Sequence, residues 1–244
     1  MIETEKPKQA STVILLRPAQ PRGFEVFLTR RPDKMAFLGG MYCFPGGTVR
    51  KEDCAAATLR RCHGLSPAEA RKIVGSHFNP QEALGLWIAA IRELFEEAGI
   101  LLAVTDSGEP AVMNRELNRR LAEKHASLLA RTLSFDGLLD SENLRCDASR
   151  LAYFSHWQTP SQFKIRFDTR FYLAALPADQ TPLSVSHEVA HSLWLSPDRA
   201  LQMFGQGHLP MIFPTFASLR TLADFDSLES LLVEFNVRSM NRPV

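Results

Sequence analysis

The chain has little cysteine, no long apolar run and no excess of charge of one sign. Its 244 residues hold four cysteines, Cys43, Cys54, Cys62 and Cys146, and none is spaced as CxxC. That argues against a zinc ribbon or a dithiol redox motif and points to reduced thiols in a cytoplasmic protein. No apolar stretch approaches the roughly 18 residues of a membrane-spanning helix. The opening MIETEKPKQA lacks the apolar core of a secretion signal. With 28 basic and 27 acidic residues the formal net charge is +1, so the electrostatic footprint of a general nucleic-acid binder is missing. No internal repeat, low-complexity tract or interdomain linker is visible. What remains is ordinary globular composition, 45% hydrophobic and 23% charged. The basic residues are mostly arginine, the better bidentate partner for phosphate.

The local signals alternate between strand and helix. Thr12 to Arg17 and Phe24 to Thr29 read as two strands joined by the Pro18–Gly23 turn. Met41 to Phe44 is a short strand candidate that Pro45-Gly46-Gly47 ends. Ser66-Pro67-Ala68-Glu69 and Asn79-Pro80-Gln81-Glu82 are capping boxes with proline in the first turn. The second opens a helix expected to reach Ala98, with Gly99 as its stop. A polar helix follows over 111–131. Strand signals return at 152–157, 165–176 and 185–195. Ser196, Thr215 and Asp226 are expected to cap three further helices, the last ending near Asn236. The expectation is an α/β (α+β) fold, a mixed β-sheet sandwiched between α-helices, in one domain over 1–244.

The most informative segment is Arg92-Glu93-Leu94-Phe95-Glu96-Glu97-Ala98-Gly99-Ile100. At about 100° per residue, Leu84, Trp87, Ile88, Ile91, Leu94, Phe95 and Ala98 fall within an arc of about 120°. Glu93, Glu96 and Glu97 gather on the opposite side as i, i+3, i+4 neighbours. They repel one another and lie near the helix C-terminus, where the helix dipole disfavours anions. Clustered carboxylates on a rigid element suit a hard divalent cation, Mg2+ or Mn2+. A bare ExxEE is as readily a solvated acidic face. The pattern REUxEExGU (U apolar) after a Gly-Gly turn is more specific, with a chance match on the order of one in ten thousand.

Arg92 to Ile100 resembles the second half of the signature box of Nudix hydrolases, Gx5Ex7REUxEExGU, and Pro45-Gly46-Gly47 resembles its opening. The resemblance implies a Nudix fold in which a loop and helix hold divalent metals against a substrate diphosphate. It implies Glu93, Glu96, Glu97 and the carbonyl of Gly47 as metal ligands, Glu93 or Glu97 in catalysis, and Arg92 orienting the glutamates. Counted from Gly47, the first box glutamate falls on Asp53 and the arginine on Arg61, but no glutamate pair follows Arg61. The matching arginine is Arg92, so the box is interrupted by 92 − 61 = 31 residues. Long loops cost little closure entropy, so the halves can still meet. Helical insertions are expected at about 54–79 and about 108–150. A split box resembles the peroxisomal-type acyl-CoA diphosphatase branch of the family.

A second pattern points the same way. CoA-hydrolysing Nudix enzymes carry LLTxR[SA]x3Rx3Gx3FPGG. Leu28, Thr29, Arg31, Gly40 and Phe44-Pro45-Gly46-Gly47 match at kept spacing, while Phe27, Pro32 and Ala36 depart. The resemblance implies substrate contacts from Arg30, Arg31, Gly40, Phe44 and Gly46. Arg166 and Arg170 flank Phe167-Asp168-Thr169, a stretch like one in the same branch; with Asp168 they alternate onto one strand face, which makes them candidates to line the substrate cleft, with an exposed salt-bridged face as the alternative.

His187-Glu188-Val189-Ala190-His191 spells the zinc-protease motif HExxH, which requires a helix. Here Leu183, Val185, Val189, Leu193 and Leu195 recur with period 2 on the face of both histidines, a strand pattern. Glu188 then points away from them and is a candidate catalytic carboxylate from outside the box. The expected activity is metal-dependent hydrolysis of the diphosphate of CoA or acyl-CoA to 4′-phosphopantetheine (or its acyl form) and adenosine 3′,5′-bisphosphate. The alternatives are another nucleoside diphosphate derivative, such as ADP-ribose or a dinucleoside polyphosphate, and a non-catalytic nucleotide sensor. The expected partner is the small-molecule substrate, with no nucleic acid and no membrane. A homodimer is compatible with the reading.

Overall fold

Val13-Ile14-Leu15-Leu16 runs without a polar interruption because, in the computed structural model, both faces of its strand are covered. The structure describes residues 6–20, 22–35, 38–183 and 189–236. Strand β1 (Lys8–Pro18) pairs antiparallel with β2 (Phe24–Arg30), Leu16 opposite Val26, which is the expected hairpin. Strands β3 (Tyr42–Cys43) and β4 (Gly46–Thr48) add to β2 and β1. Next come α1 (Ala56–Arg60), β5 (Cys62–His63), α2 (Pro67–Val74), α3 (Pro80–Ala98) and β6 (Ala103–Thr105). They are followed by α4 (Arg115–Leu129), α5 (Phe135–Ser141), β7 (Leu144–Asp147), β8 (Ala152–Gln158), β9 (Phe167–Ala175) and β10 (His191–Leu195). Helices α6 (Pro197–Gly205), α7 (Phe213–Leu222) and α8 (Leu228–Glu234) close the described chain.

The main sheet runs β10-β2-β1-β9-β8, with β1 and β9 parallel and their neighbours antiparallel. Alternate residues of β1 serve two cores. Val13 and Leu15 join Trp87, Ile91 and Tyr172 under α3. Ile14 and Leu16 join Leu173 with Leu219, Leu222 and Leu231 of α7 and α8. Each such side chain contributes about 1.5–3 kcal/mol by leaving water. A mixed sheet between two helical layers is the expected architecture.

Helix α3 is fixed at both ends by chemistry visible in its sequence. The Asn79 side chain accepts from the Glu82 N–H and the Glu82 carboxylate accepts from the Asn79 N–H. At the other end Gly99 adopts φ +69° and its N–H donates to the Phe95 carbonyl. A side chain there would also meet Leu183 at 2.8 Å.

Other local readings are corrected. Pro45-Gly46-Gly47 does not simply end a strand, because Gly46–Thr48 is itself β4, paired with β1. Thr215 is buried within α7, whose N-cap is Ile212 with proline in the first turn; Ser227, not Asp226, caps α8. The Ser227 hydroxyl accepts from the Ser230 N–H, whereas α7 starts without a side-chain cap and has Pro214 in its first turn. Residues 54–79 form α1, β5 and α2, and 108–150 include α4, α5 and β7. The two stretches therefore also supply strands, which meet in the small sheet β5-β7-β6 with Cys62 opposite Cys146.

Candidate active site

The helical repeat puts Glu93, Glu96 and Glu97 on one face of α3, and the fold then covers that face. All three are buried, at 5%, 7% and 5% exposure. Strand β4 lies against them. The Gly46 N–H donates to Glu97 Oε2 at 3.2 Å. A Cβ on Gly47 would stand 2.7 Å from the Glu93 carboxylate, so only glycine lets the backbone come this close.

Arg92 organises the centre. Its Nε and Nη2 each donate to one oxygen of Asp53 at 2.8 Å, a two-pronged bond between groups that are both almost fully buried. Nη1 donates to Glu93 at 2.6 Å, and Nη2 also reaches the Thr48 carbonyl at 3.0 Å. A short 3-10 turn at Glu52–Cys54 presents Asp53, whose second task is to accept the Arg50 N–H. The halves of the interrupted box thus meet through Asp53 and Arg92. Arg61, the position the uninterrupted spacing would select, instead pairs with Asp106 and Asp140.

Two residues that the sequence did not single out complete the cluster. Arg50 donates through both terminal nitrogens to both oxygens of Glu96, each at 2.7 Å. His125 of α4 meets the Glu96 backbone carbonyl through Nε2 at 2.9 Å and packs edge-on against Phe95. Neither had a periodic or motif signal. The surplus of acid on one helix face was the only hint that a cation must come from elsewhere. A cavity of about 230 Å3 adjoins, lined by Arg50, Asp53, Arg92, Leu128, Arg131 and Phe135 among others.

Burial pushes the Glu93 carboxyl above its ordinary range, and the Glu96 charge adds to this against the pull of Arg92 and Arg50. Burial by itself would lower the Arg92 value, but the bond to Asp53 and the charges of Glu93, Asp53 and Glu96 outweigh it and keep the guanidinium charged. Cys43 is pushed up to about 11, first by burial and then by the Glu97 charge, with Arg31 pulling the other way.

The remaining expected site residues separate. The Arg31 side chain bonds Cys43, a thiol on which the Glu97 charge also acts. Its backbone N–H donates to Met41 and its carbonyl accepts from Gly40, closing the loop after β2. Arg30 pairs with Asp33 at 2.6 Å. Phe44 is a core side chain, 2% exposed and edge-on to Phe171, rather than an open substrate contact. Arg166 precedes β9 and its Nε donates to the Thr159 carbonyl. Arg170 is turned into the interior: it pairs with Asp168 and donates to Gln9, each at 2.8 Å, and its guanidinium lies over Phe78. The structure therefore does not bring Arg170 to the glutamates. Glu188 and His187 lie outside the described residues. His191 opens β10 opposite Arg30, in a strand rather than on the helix that a zinc motif requires.

Carboxylate oxygens packed against a glycine backbone are the donor chemistry of a hard divalent cation. Among the described residues no three His, Cys, Asp or Glu side chains already close around one point as a cage. Guanidinium groups stand among the oxygens instead.

A family model described as the NUDT19 Nudix domain matches residues 7–222. The curated acyl-coenzyme A diphosphatase NUDT19 of Gallus gallus is 30% identical over 255 residues, which cover 88% of this chain and 65% of that protein. Its Homo sapiens counterpart is 27% identical, over 88% of this chain and 64% of that one. The chain thus spans a little under two thirds of the length of these relatives. The crystal structure of a NUDIX hydrolase from Alicyclobacillus acidocaldarius superposes with a TM-score of 0.73 at 24% identity, covering 97% of this chain and 100% of that one. At that identity the likeness concerns the fold.

Proposed function

The chain belongs to the Nudix hydrolase family, and we propose that it is a divalent-metal-dependent pyrophosphohydrolase of CoA or acyl-CoA. The products would be 4′-phosphopantetheine, or its acyl form, and adenosine 3′,5′-bisphosphate. One observation carries the reading: three glutamates of α3 are buried together beneath Gly46–Thr48, with Arg92 forked onto Asp53. Glu93, Glu96 and Glu97, with the Gly47 backbone, would hold Mg2+ or Mn2+. Such an ion neutralises charge developing on the diphosphate and activates water for in-line attack.

The chain's own residues do the rest. Arg92 fixes the Glu93 carboxylate and ties the helix to Asp53, so the acidic face keeps its shape without a rotamer search. Glu93, raised by burial, is suited to hold a proton passing from the attacking water. Gly46 directs its N–H at Glu97 and fixes that carboxylate. Arg31, which bonds Cys43, would supply positive charge for a substrate phosphate. The proposal includes cytoplasmic work, in keeping with four free thiols. No helix among the described residues is long and apolar enough to cross a membrane.

The test is a substrate panel of CoA, a medium-chain acyl-CoA, ADP-ribose and a dinucleoside polyphosphate, each with Mg2+ and Mn2+. Release of adenosine 3′,5′-bisphosphate from the first two at the highest kcat/KM is the expected result. Preferred cleavage of ADP-ribose or the dinucleoside would move the substrate class. No cleavage of any would leave the sensor reading in its place.

A further inference from the structure

Both oxygens of Glu96 are already engaged by arginine: both accept from Arg50, and one also lies 3.3 Å from Arg92 Nη1. Glu96 is among the residues proposed above to hold the metal. Arg50 is the looser partner: its side chain is 31% exposed against 8% for Glu96, whereas Arg92 is locked by Asp53, Glu93 and Thr48. Arg50 also lines the 230 Å3 cavity, which gives a displaced guanidinium room beside it.

We propose that Arg50 is a displaceable internal counter-ion: it neutralises Glu96 in the metal-free protein, yields Glu96 to a divalent cation, and then serves as a ligand for a substrate phosphate. The inference rests on the metal-dependent reading given above. Its physical basis is competition. A buried carboxylate needs a partner, so the metal-free protein must supply one from its own chain. Any cation that takes Glu96 must first break a two-pronged charge-assisted bond. The freed group is a planar fork well matched to phosphate. Arg50 is thus a positioning residue that lowers the metal affinity of the empty centre and raises it, relative to that, when phosphate is present to receive the guanidinium.

Competition predicts an effect opposite in sign to that of a merely structural role. Mn2+ binding is titrated by the loss of the free-ion electron paramagnetic signal, without substrate, for wild type, Arg50→Gln and Arg50→Lys. Arg50→Gln is expected to bind Mn2+ more tightly, by about ten- to a hundredfold, and to show the larger Mn2+-induced rise in melting temperature. Arg50→Lys, with one point charge in place of a fork, should shift the same way by less. It also guards against misfolding of the glutamine variant. With substrate present, Arg50→Gln should raise KM for the diphosphate more than it lowers kcat. Equal or weaker Mn2+ binding by both folded variants, with wild type binding normally, would overturn the counter-ion role alone. Failure of wild type and both variants to bind Mn2+ or Mg2+ would overturn the metal-dependent reading and this inference with it.

Discussion

Two buried arginines, Arg92 and Arg170, sit in carboxylate company, and only Arg92 lies within the proposed reaction centre. Around Arg92 and Arg50 the fold gathers four buried carboxylates, Asp53, Glu93, Glu96 and Glu97. Around Arg170 the account balances: Asp168 faces Arg170 and is also bonded by Gln9 and His156. Both arginines are 2% exposed, so burial alone does not tell them apart. The difference is how many carboxylates crowd together beneath one stretch of backbone. A balanced cluster ties β1 to β9 and needs nothing more. A crowd of buried carboxylates offers the oxygen donors that the proposed divalent cation would take.

The sharpest break of this comparison is in activity. Glu97→Gln should lower kcat by on the order of 10²–10³ or more while leaving the melting temperature near wild type. Asp168→Asn on the balanced cluster should leave kcat within a fewfold. Stability should divide the two arginines next. Arg92→Ala strands Asp53 and part of Glu93 and should cost about 3–5 kcal/mol in denaturant unfolding. Arg170→Ala leaves Asp168 with Gln9 and His156 and should cost less, about 1–3 kcal/mol. Gly47→Ala comes third: its methyl group must push the Glu93 carboxylate aside, costing about 1–3 kcal/mol and a measurable loss of kcat.

The smallest effects are in the pH dependence, and their signs are opposite. Glu93 is raised on folding, chiefly by burial. Its charge therefore costs stability above its folded value, and the cost disappears as pH falls towards the ordinary glutamate range of about 4.3. Asp168 is lowered: burial works against the shift, and the bonds from Arg170, His156 and Gln9 overcome it. Its contribution is complete above about 3.9 and is lost as pH drops through the folded value. Metal-free Glu93→Gln should accordingly melt higher than wild type at neutral pH, and Asp168→Asn lower. If the order of melting temperatures is reversed, the charge assignment of the two clusters is wrong.

How much of this was legible depended on the range of the interaction. The β1–β2 hairpin, both ends of α3 and the shared face of Glu93, Glu96 and Glu97 are written within a few residues of themselves. The cover over that face is not. The amphipathic pattern sets the glutamates opposite the core, but β4 and α4 then bury them, and neither announces this locally. Arg50 reaches Glu96 across 46 positions and carries no motif. Cys62 and Cys146 pair across the small sheet from segments too short to show a strand period. The interior setting of Arg170 is not legible for a related reason. Alternation gives the face of a strand, but only the packing of Phe78 and Gln9 shows that this face is sealed.

The most direct measurement is metal-dependent release of adenosine 3′,5′-bisphosphate from acyl-CoA by wild type and by Glu97→Gln, at matched concentrations of folded protein. The account predicts release by wild type with Mg2+ or Mn2+, none with chelator, and near-complete loss in the variant. Undiminished release by folded Glu97→Gln would contradict the assignment of the α3 acidic face as the reaction centre.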